Sequence, residues 1–145
     1  MRCNNRGNTR VRLQDYQGAI ADFNKVIYVN PQNAKAYYNR GIAKSKLKDH
    51  QGAISDYNKA IEISPQYAAA YNKRGYIKGS LKDYQGAIAD FNKAIEIDPK
   101  FADAYFIRGI SKRLVRNLKG ACADWRRASS LGAKDAAKLV KQQCQ

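Results

Sequence analysis

The sequence is short of cysteine, histidine, acidic residues and long apolar runs, and each shortage excludes something. Three cysteines, Cys3, Cys122 and Cys144, are spread over 145 residues. So sparse and odd a set argues against a disulfide framework, and against a zinc site, which needs four ligands in close pairs. With one histidine, no Ser/His/Asp or Cys/His constellation stands out, and no glycine-rich phosphate loop either. Function has to be argued from a site, so the expectation is a non-enzymatic protein without cofactor or metal. No apolar run approaches a membrane span. The N-terminal stretch MRCNNRGNTRVRLQD is basic but lacks the apolar centre of a signal peptide. A soluble, cytoplasmic protein is expected. Twelve Asp and Glu face 27 Lys and Arg, for a formal net charge of +15. That balance favours acidic partners: acidic peptides, nucleic acid or anionic lipid.

What the chain does have is repetition. Residues 83–99, DYQGAIADFNKAIEIDP, recur as DYQGAIADFNKVIYVNP at 15–31 and DHQGAISDYNKAIEISP at 49–65, with an eroded copy, NLKGACADWRRASSLG, near the C-terminus. Gly7, Gly41, Gly75 and Gly109 are 34 apart, as are Pro31, Pro65 and Pro99. A fixed period of this length marks a stacked repeat architecture, in which each unit buries its apolar face on its neighbours. The copies also explain isolated residues. His50 stands where Tyr16 and Tyr84 stand, as a packing variant at a helix start. Cys122 stands where Ile20, Ile54 and Ile88 stand, which reads as a small buried hydrophobe. A Cys122–Cys144 bridge pinning the C-terminal helix is the other reading.

Each period reads as two helices. In the second copy, Ala36, Tyr37, Gly41, Ile42 and Leu47 recur at helical spacing over Ala34 to Leu47. Asp49 is placed to cap the next helix, about His50 to Ile63, with Ala53, Ile54, Tyr57, Ala60 and Ile61 on one face. Pro65 then ends the unit. Gly41 and Ala53 are expected to face each other, so that the backbones approach closely. The basic residues repeat too: Arg6, Arg40, Arg74 and Arg108 precede the glycines, and Arg10, Lys44, Lys78 and Lys112 follow one turn later. Asp22, Asp56, Asp90 and Asp124 recur on the partner helices. These spacings predict a ladder of half-buried ion pairs. The first helix carries Cys3, Asn4 and Asn5, poor helix formers, and is expected to fray or to pack on another chain. After Gly132, a suitable helix C-terminus, residues 133–143 form an amphipathic capping helix with Ala136, Ala137, Leu139 and Val140 inward.

These marks resemble the tetratricopeptide repeat. That pattern has a bulky aromatic, Gly four later, Ala twelve after that, an aromatic four on, Ala three on and a closing Pro. Tyr71, Gly75, Ala87, Phe91, Ala94 and Pro99 match it. The second unit matches equally; the first has Cys3 for the aromatic and Val26 for the second Ala, and the fourth lacks the Pro. An Arg precedes the Gly where the family usually has Leu. The resemblance implies an all-α chain: one α-α superhelical solenoid domain of four helix-turn-helix repeats, about 1–33, 34–67, 68–101 and 102–131, plus the capping helix. The first helix of each pair would line a concave groove that binds a peptide or helix of another protein.

Carrying the family's groove positions over gives Asn4, Asn5, Asn8 and Arg12 in the first unit and Lys35, Tyr38, Asn39, Ile42 and Lys46 in the second. The third supplies Ala69, Asn72, Lys73 and Tyr76, and the fourth Asp103, Phe106, Ile107, Ile110 and Arg113. Asn side chains can bond an extended peptide, and Tyr38, Tyr76 and Phe106 can act as anchors. Phe106, Ile107 and Ile110 also read as core beneath the capping helix. The family's carboxylate clamp is incomplete: Asn8 and Asn39 match and Lys73 replaces an Arg, but Asn4 and Ala69 stand where lysines belong. The leading expectation is therefore a protein-interaction scaffold whose partner carries an acidic segment. A basic nucleic-acid-binding repeat is the alternative. Self-association through the N-terminal helix is a third.

Overall fold

The structure, a computed structural model, describes residues 2–145. Among the described residues the elements are helices: α1 (Arg2–Arg12), α2 (Tyr16–Val29), α3 (Ala34–Lys46), α4 (His50–Ile63), α5 (Ala68–Ser80), α6 (Tyr84–Ile97), α7 (Ala102–Leu114), α8 (Leu118–Ser130) and α9 (Lys134–Gln143). This is the all-α, helix-turn-helix repeat fold that the periodicity predicts. The chain divides into two compact units, Met1–Arg74 and Gly75–Gln145. In the first, α1 packs on α2, α2 on α3 and α3 on α4. In the second, α6 packs on α7, α7 on α8 and α8 on α9.

One turn joins α1 to α2, α3 to α4, α5 to α6 and α7 to α8. Gln14, Lys48, Lys82 and Arg116 each adopt a positive φ of 63–67°. The next residue, Asp15, Asp49, Asp83 or Asn117, caps the second helix by accepting a hydrogen bond from the backbone N–H of Gly18, Gly52, Gly86 or Gly120. A capping side chain of this kind contributes about 1 kcal/mol. At the start of α3, Asn33 plays the same part for the Ala36 N–H. The expected cap at Asp49 and the expected terminator at Gly132, with φ 98°, are both present.

The glycines let the paired backbones approach closely, as expected: a Cβ on Gly109 would lie 3.2 Å from the carbonyl oxygen of Ala121, the position that Ala53 holds in the second repeat. The aromatic sixteen residues on is nearer still, and a Cβ on Gly41 would sit 2.8 Å from the Tyr57 ring. Gly7 lies against Phe23, Gly75 against Phe91 and Gly109 against Trp125 in the same way. A ring sixteen residues on returns across the hairpin to the bare glycine backbone. Phe23, Tyr57, Phe91 and Trp125 are fully buried there, each contributing about 1.5–3 kcal/mol. At Gly75 a Cβ would also meet Asp90 Cβ at 3.1 Å and the Ala87 carbonyl oxygen at 3.2 Å. Gly75→Leu is therefore expected to cost about 1–3 kcal/mol or more by overpacking. An unchanged urea midpoint for the variant would contradict this packing.

The ion-pair ladder forms, and each Asp pairs within its own hairpin. Asp22 accepts from Arg6 and lies 3.2 Å from Arg10; Asp56 holds Arg40 at 2.6 Å and Lys44 at 3.0 Å. Asp90 holds Lys78 at 3.0 Å, and Asp124 holds Arg108 at 2.6 Å and Lys112 at 2.9 Å. All four carboxylates are buried. The hydrogen bond from Arg6 holds the Asp22 carboxyl below its ordinary range, and the bond to Asp56 raises the Arg40 guanidinium. The arginines do more than neutralise. Arg40, Arg74 and Arg108 donate a further hydrogen bond to Asn24, Asn58 and Asn92 of the preceding hairpin, and lie over Tyr37, Tyr71 and Tyr105 at 5.4–5.5 Å. Arg6 and Gly7 also account for the order of α1. Their contacts with Asp22 and Phe23 outweigh the poor helix propensity of Cys3, Asn4 and Asn5, and α1 is helical from Arg2.

Candidate functional site

In the first unit, a cleft of about 240 Å³ opens between α1 and α3. Asn8, Val11 and Arg12 form one wall; Lys35, Asn39 and Ile42 form the other. Helical spacing puts each trio on one face, and the packing of α1 beside α3 brings the faces together. Asn39 Nδ2 donates to Asn8 Oδ1 at 2.9 Å, across 31 residues of sequence. That bond fixes both amides and leaves the Asn8 amide N–H groups and the Asn39 carbonyl oxygen pointing away from it. Among the described residues no acid pairs with Arg12 or Lys35. The cleft thus combines an apolar floor, two oriented amides and two uncompensated cations. Of the residues predicted from sequence, it gathers Asn8, Arg12, Lys35, Asn39 and Ile42. Val11 belongs to the same surface and was not singled out, although it stands three residues from Asn8 on the same helix.

Tyr38 lies elsewhere in this unit. It is half-buried, with its ring 5.0 Å from Tyr67 and 5.9 Å from Tyr57. Burial pushes the hydroxyl of Tyr38 up, and that of Tyr67 up to about 12. Tyr38 and Tyr67 share one apolar cluster with Tyr37, Ile27, Ile61 and Ala70. Tyr67 was not anticipated, because nothing in the repeat pattern marks it. On α5, Asn72 is buried, whereas Lys73 is exposed.

In the second unit, Tyr76 is 54% exposed, so its ring is available to a ligand. A cleft of about 410 Å³ lies among α7, α8 and α9. Phe106, Ile110 and Arg113 supply its α7 wall and Trp125 its base. Of the apolar α7 residues, Phe106 packs against the core of Trp125 and Ala136, and Phe106 and Ile110 line the opening. The opposite wall is α9. Leu139 is inward as expected, but Lys138, Gln142 and Gln143 also border the cleft, where the amphipathic pattern placed Lys and Gln outward. Trp125 Nε1–H donates to the Phe106 carbonyl at 3.3 Å. A disulfide joins Cys122 of α8 to Cys144, the residue that ends α9, with the Cα atoms 5.6 Å apart. Arg126 bonds the Cys144 carbonyl at 3.0 Å. Of the two readings of Cys122, the structure shows the bridged one, and the residue is buried as well.

Among the described residues no group of three or more His, Cys, Asp and Glu is placed to hold a metal ion. His50 is half-buried at the start of α4. Among the described residues no helix is long and apolar enough to cross a membrane.

A family model described as the tetratricopeptide repeat matches residues 34–67 and 68–101, and a second model described as a TPR repeat matches residues 7–48. The crystal structure of MamA is similar at 27% identity, with a TM-score of 0.85, over 93% of this chain and 79% of that one. The first TPR of Spaghetti (RPAP3), bound to the HSP90 peptide SRMEEVD, is 25% identical, with a TM-score of 0.77, over 79% of this chain and 90% of that one. The TPR domain of Arabidopsis OM64 is 29% identical, with a TM-score of 0.71, over 79% and 91%. Among curated proteins no match is found. Matched over residues 7–101 and carrying the glycine, aromatic and capping positions in register, the chain belongs to the tetratricopeptide repeat family.

Proposed function

We propose that the protein is a non-enzymatic interaction scaffold that holds a peptide or helix of a partner protein on the first helices of its repeats. One observation carries this reading: the α1/α3 cleft sets Arg12 and Lys35, cations without an acid, beside the bonded Asn8–Asn39 pair and the apolar Val11 and Ile42. An extended peptide offers backbone groups to the amides, an apolar side chain to the floor and carboxylates to the cations. The partner segment is therefore acidic. The peptide bound by the structurally similar Spaghetti domain, SRMEEVD, has that character. Lys73 and Tyr76 of α5 are exposed and belong to the same reading, as do Phe106, Ile110 and Arg113 of α7. Asn72 and Tyr38 support those surfaces from within. The four repeats and α9 are proposed to work as one domain.

Lys35→Ala with Asn39→Ala tests it by capture from a native lysate at physiological salt, with and without nuclease. The wild-type chain is expected to retain a protein after nuclease treatment, and the double variant to lose about nine-tenths of it. Equal recovery by both would move the site elsewhere. Recovery that vanishes with nuclease would replace this reading by nucleic-acid binding, to which the net charge of +15 also points.

A further inference from the structure

We propose that the cleft among α7, α8 and α9 is a second recognition site, which takes the C-terminal apolar residue of a partner chain together with its free carboxylate and is competent only while the Cys122–Cys144 bridge is closed. The proposal rests on the scaffold reading but uses a different surface.

Three features of the cleft define the ligand. The cleft measures about 410 Å³ in all, with Phe106, Ile110, Leu139 and Trp125 as its apolar lining, room for one large side chain and the backbone that carries it. At its rim stand Arg113, joined to no acid among the described residues, and Lys138, loosely engaged 3.5 Å from Asp135 with both side chains exposed; Asp135 also borders the cleft, so two cations face one acid. A net positive rim around an apolar floor is complementary to an apolar group bearing a carboxylate. Gln142 and Gln143 then supply amide donors and acceptors for a peptide backbone. A fatty acid would fill the floor and meet the cations, but it would leave those amides unused, so the proposal commits to a peptide terminus.

The bridge decides whether that wall exists. Gln142 and Gln143 immediately precede Cys144, and Cys144 is tied to Cys122 of α8. Besides the bridge, α9 is held by an apolar contact, with Ala136 buried and Leu139 and Val140 half-buried, and by the Arg126 hydrogen bond to the Cys144 carbonyl. A dithiol reductant transfers two electrons and two protons to the bridge, giving the Cys122 and Cys144 thiols and the reductant's own cyclic disulfide. With only that bond and that contact left, the last turn of α9 opens more often, and the cleft loses one wall when it does.

Trp125 is the only tryptophan of the chain, so its fluorescence reports on this cleft alone. The intact protein is titrated with acetyl-Gly-Gly-Phe bearing a free carboxylate, with the same peptide as its C-terminal amide, and with decanoate. The free acid is expected to bind about tenfold or more tighter than the amide, and Arg113→Ala to remove that difference. Prior treatment with dithiothreitol is expected to weaken the free acid about tenfold, through loss of preorganisation, while far-ultraviolet circular dichroism confirms that the helices persist. Equal binding of acid and amide, tighter binding of decanoate than of the peptide, or affinity unaffected by dithiothreitol would each overturn the proposal. A failed lysate capture through Lys35 and Asn39 would leave the Trp125 response intact, so the two readings fail separately.

Discussion

Asp124→Ala should destabilise the protein by about 3–5 kcal/mol, the range seen when one partner of a buried charge pair is removed. The carboxylate is 3% exposed and holds Arg108 and Lys112 at 2.6 and 2.9 Å. Neither cation can simply swing into water. Arg108 is also bound to Asn92 and lies over Tyr105, and the two side chains are 15% and 20% exposed. Deleting the acid therefore strands two charges in a poorly hydrated seam. For a chain of this size the loss corresponds to roughly 6–20 °C in melting temperature. The first hairpin provides the internal control. There Asp22 faces Arg6 and Arg10, which are 52% and 37% exposed and can rehydrate. Asp22→Ala should therefore cost clearly less. Equal melting temperatures for the two variants would show that burial of the cations is not what makes the ladder matter.

Opening the Cys122–Cys144 bridge should remove about 3 kcal/mol, the chain-entropy value for a closed loop of about this length. The sequence separation is 22 residues. The loss is expected to be local. The apolar contact of α9 is small, whereas α8 is packed by α7 as well, so α9 is the element that the bridge chiefly restrains. Hydrogen exchange is the direct readout. With dithiothreitol, or in Cys144→Ser, amides of α9 should exchange about a hundredfold faster, while those of α7 keep their protection. Unchanged protection across α9 would mean that its packing alone holds it.

How much of this was visible in the residues depended on whether the repeat carried the information. The helices, the turns and the ladder were legible, because Gly41, Arg40 and Asp56 recur at one period and a helical hairpin brings them together. The close approach of the backbones at the glycines was legible as well, whereas the ring as each glycine's nearest neighbour was not: from spacing alone Ala53 and Tyr57, one turn apart, are equivalent candidates, and ring size brings the aromatic nearer. The Asn8–Asn39 bond was half legible: both residues were placed on the ligand side, but their mutual bond depends on how α1 and α3 are rotated about their axes. Tyr38 was placed on that side too, yet its ring is half-buried against Tyr67, a residue outside the repeated pattern. The bridge was the least legible feature. Cys144 lies beyond the last repeat, so no sister copy showed where the end of α9 would return.

The arginine bonds to Asn24, Asn58 and Asn92 have a mechanical meaning. Each is a rivet across the seam between one hairpin and the next, so tension applied along the chain loads like seams in series. The bridge breaks that regularity. A pull on Gln145 passes from Cys144 through the disulfide into Cys122, bypassing α9 altogether. The last helix therefore bears no load while the bridge is closed, and its wall of the α7–α9 cleft keeps its shape even when a tethered partner draws on the end of the chain.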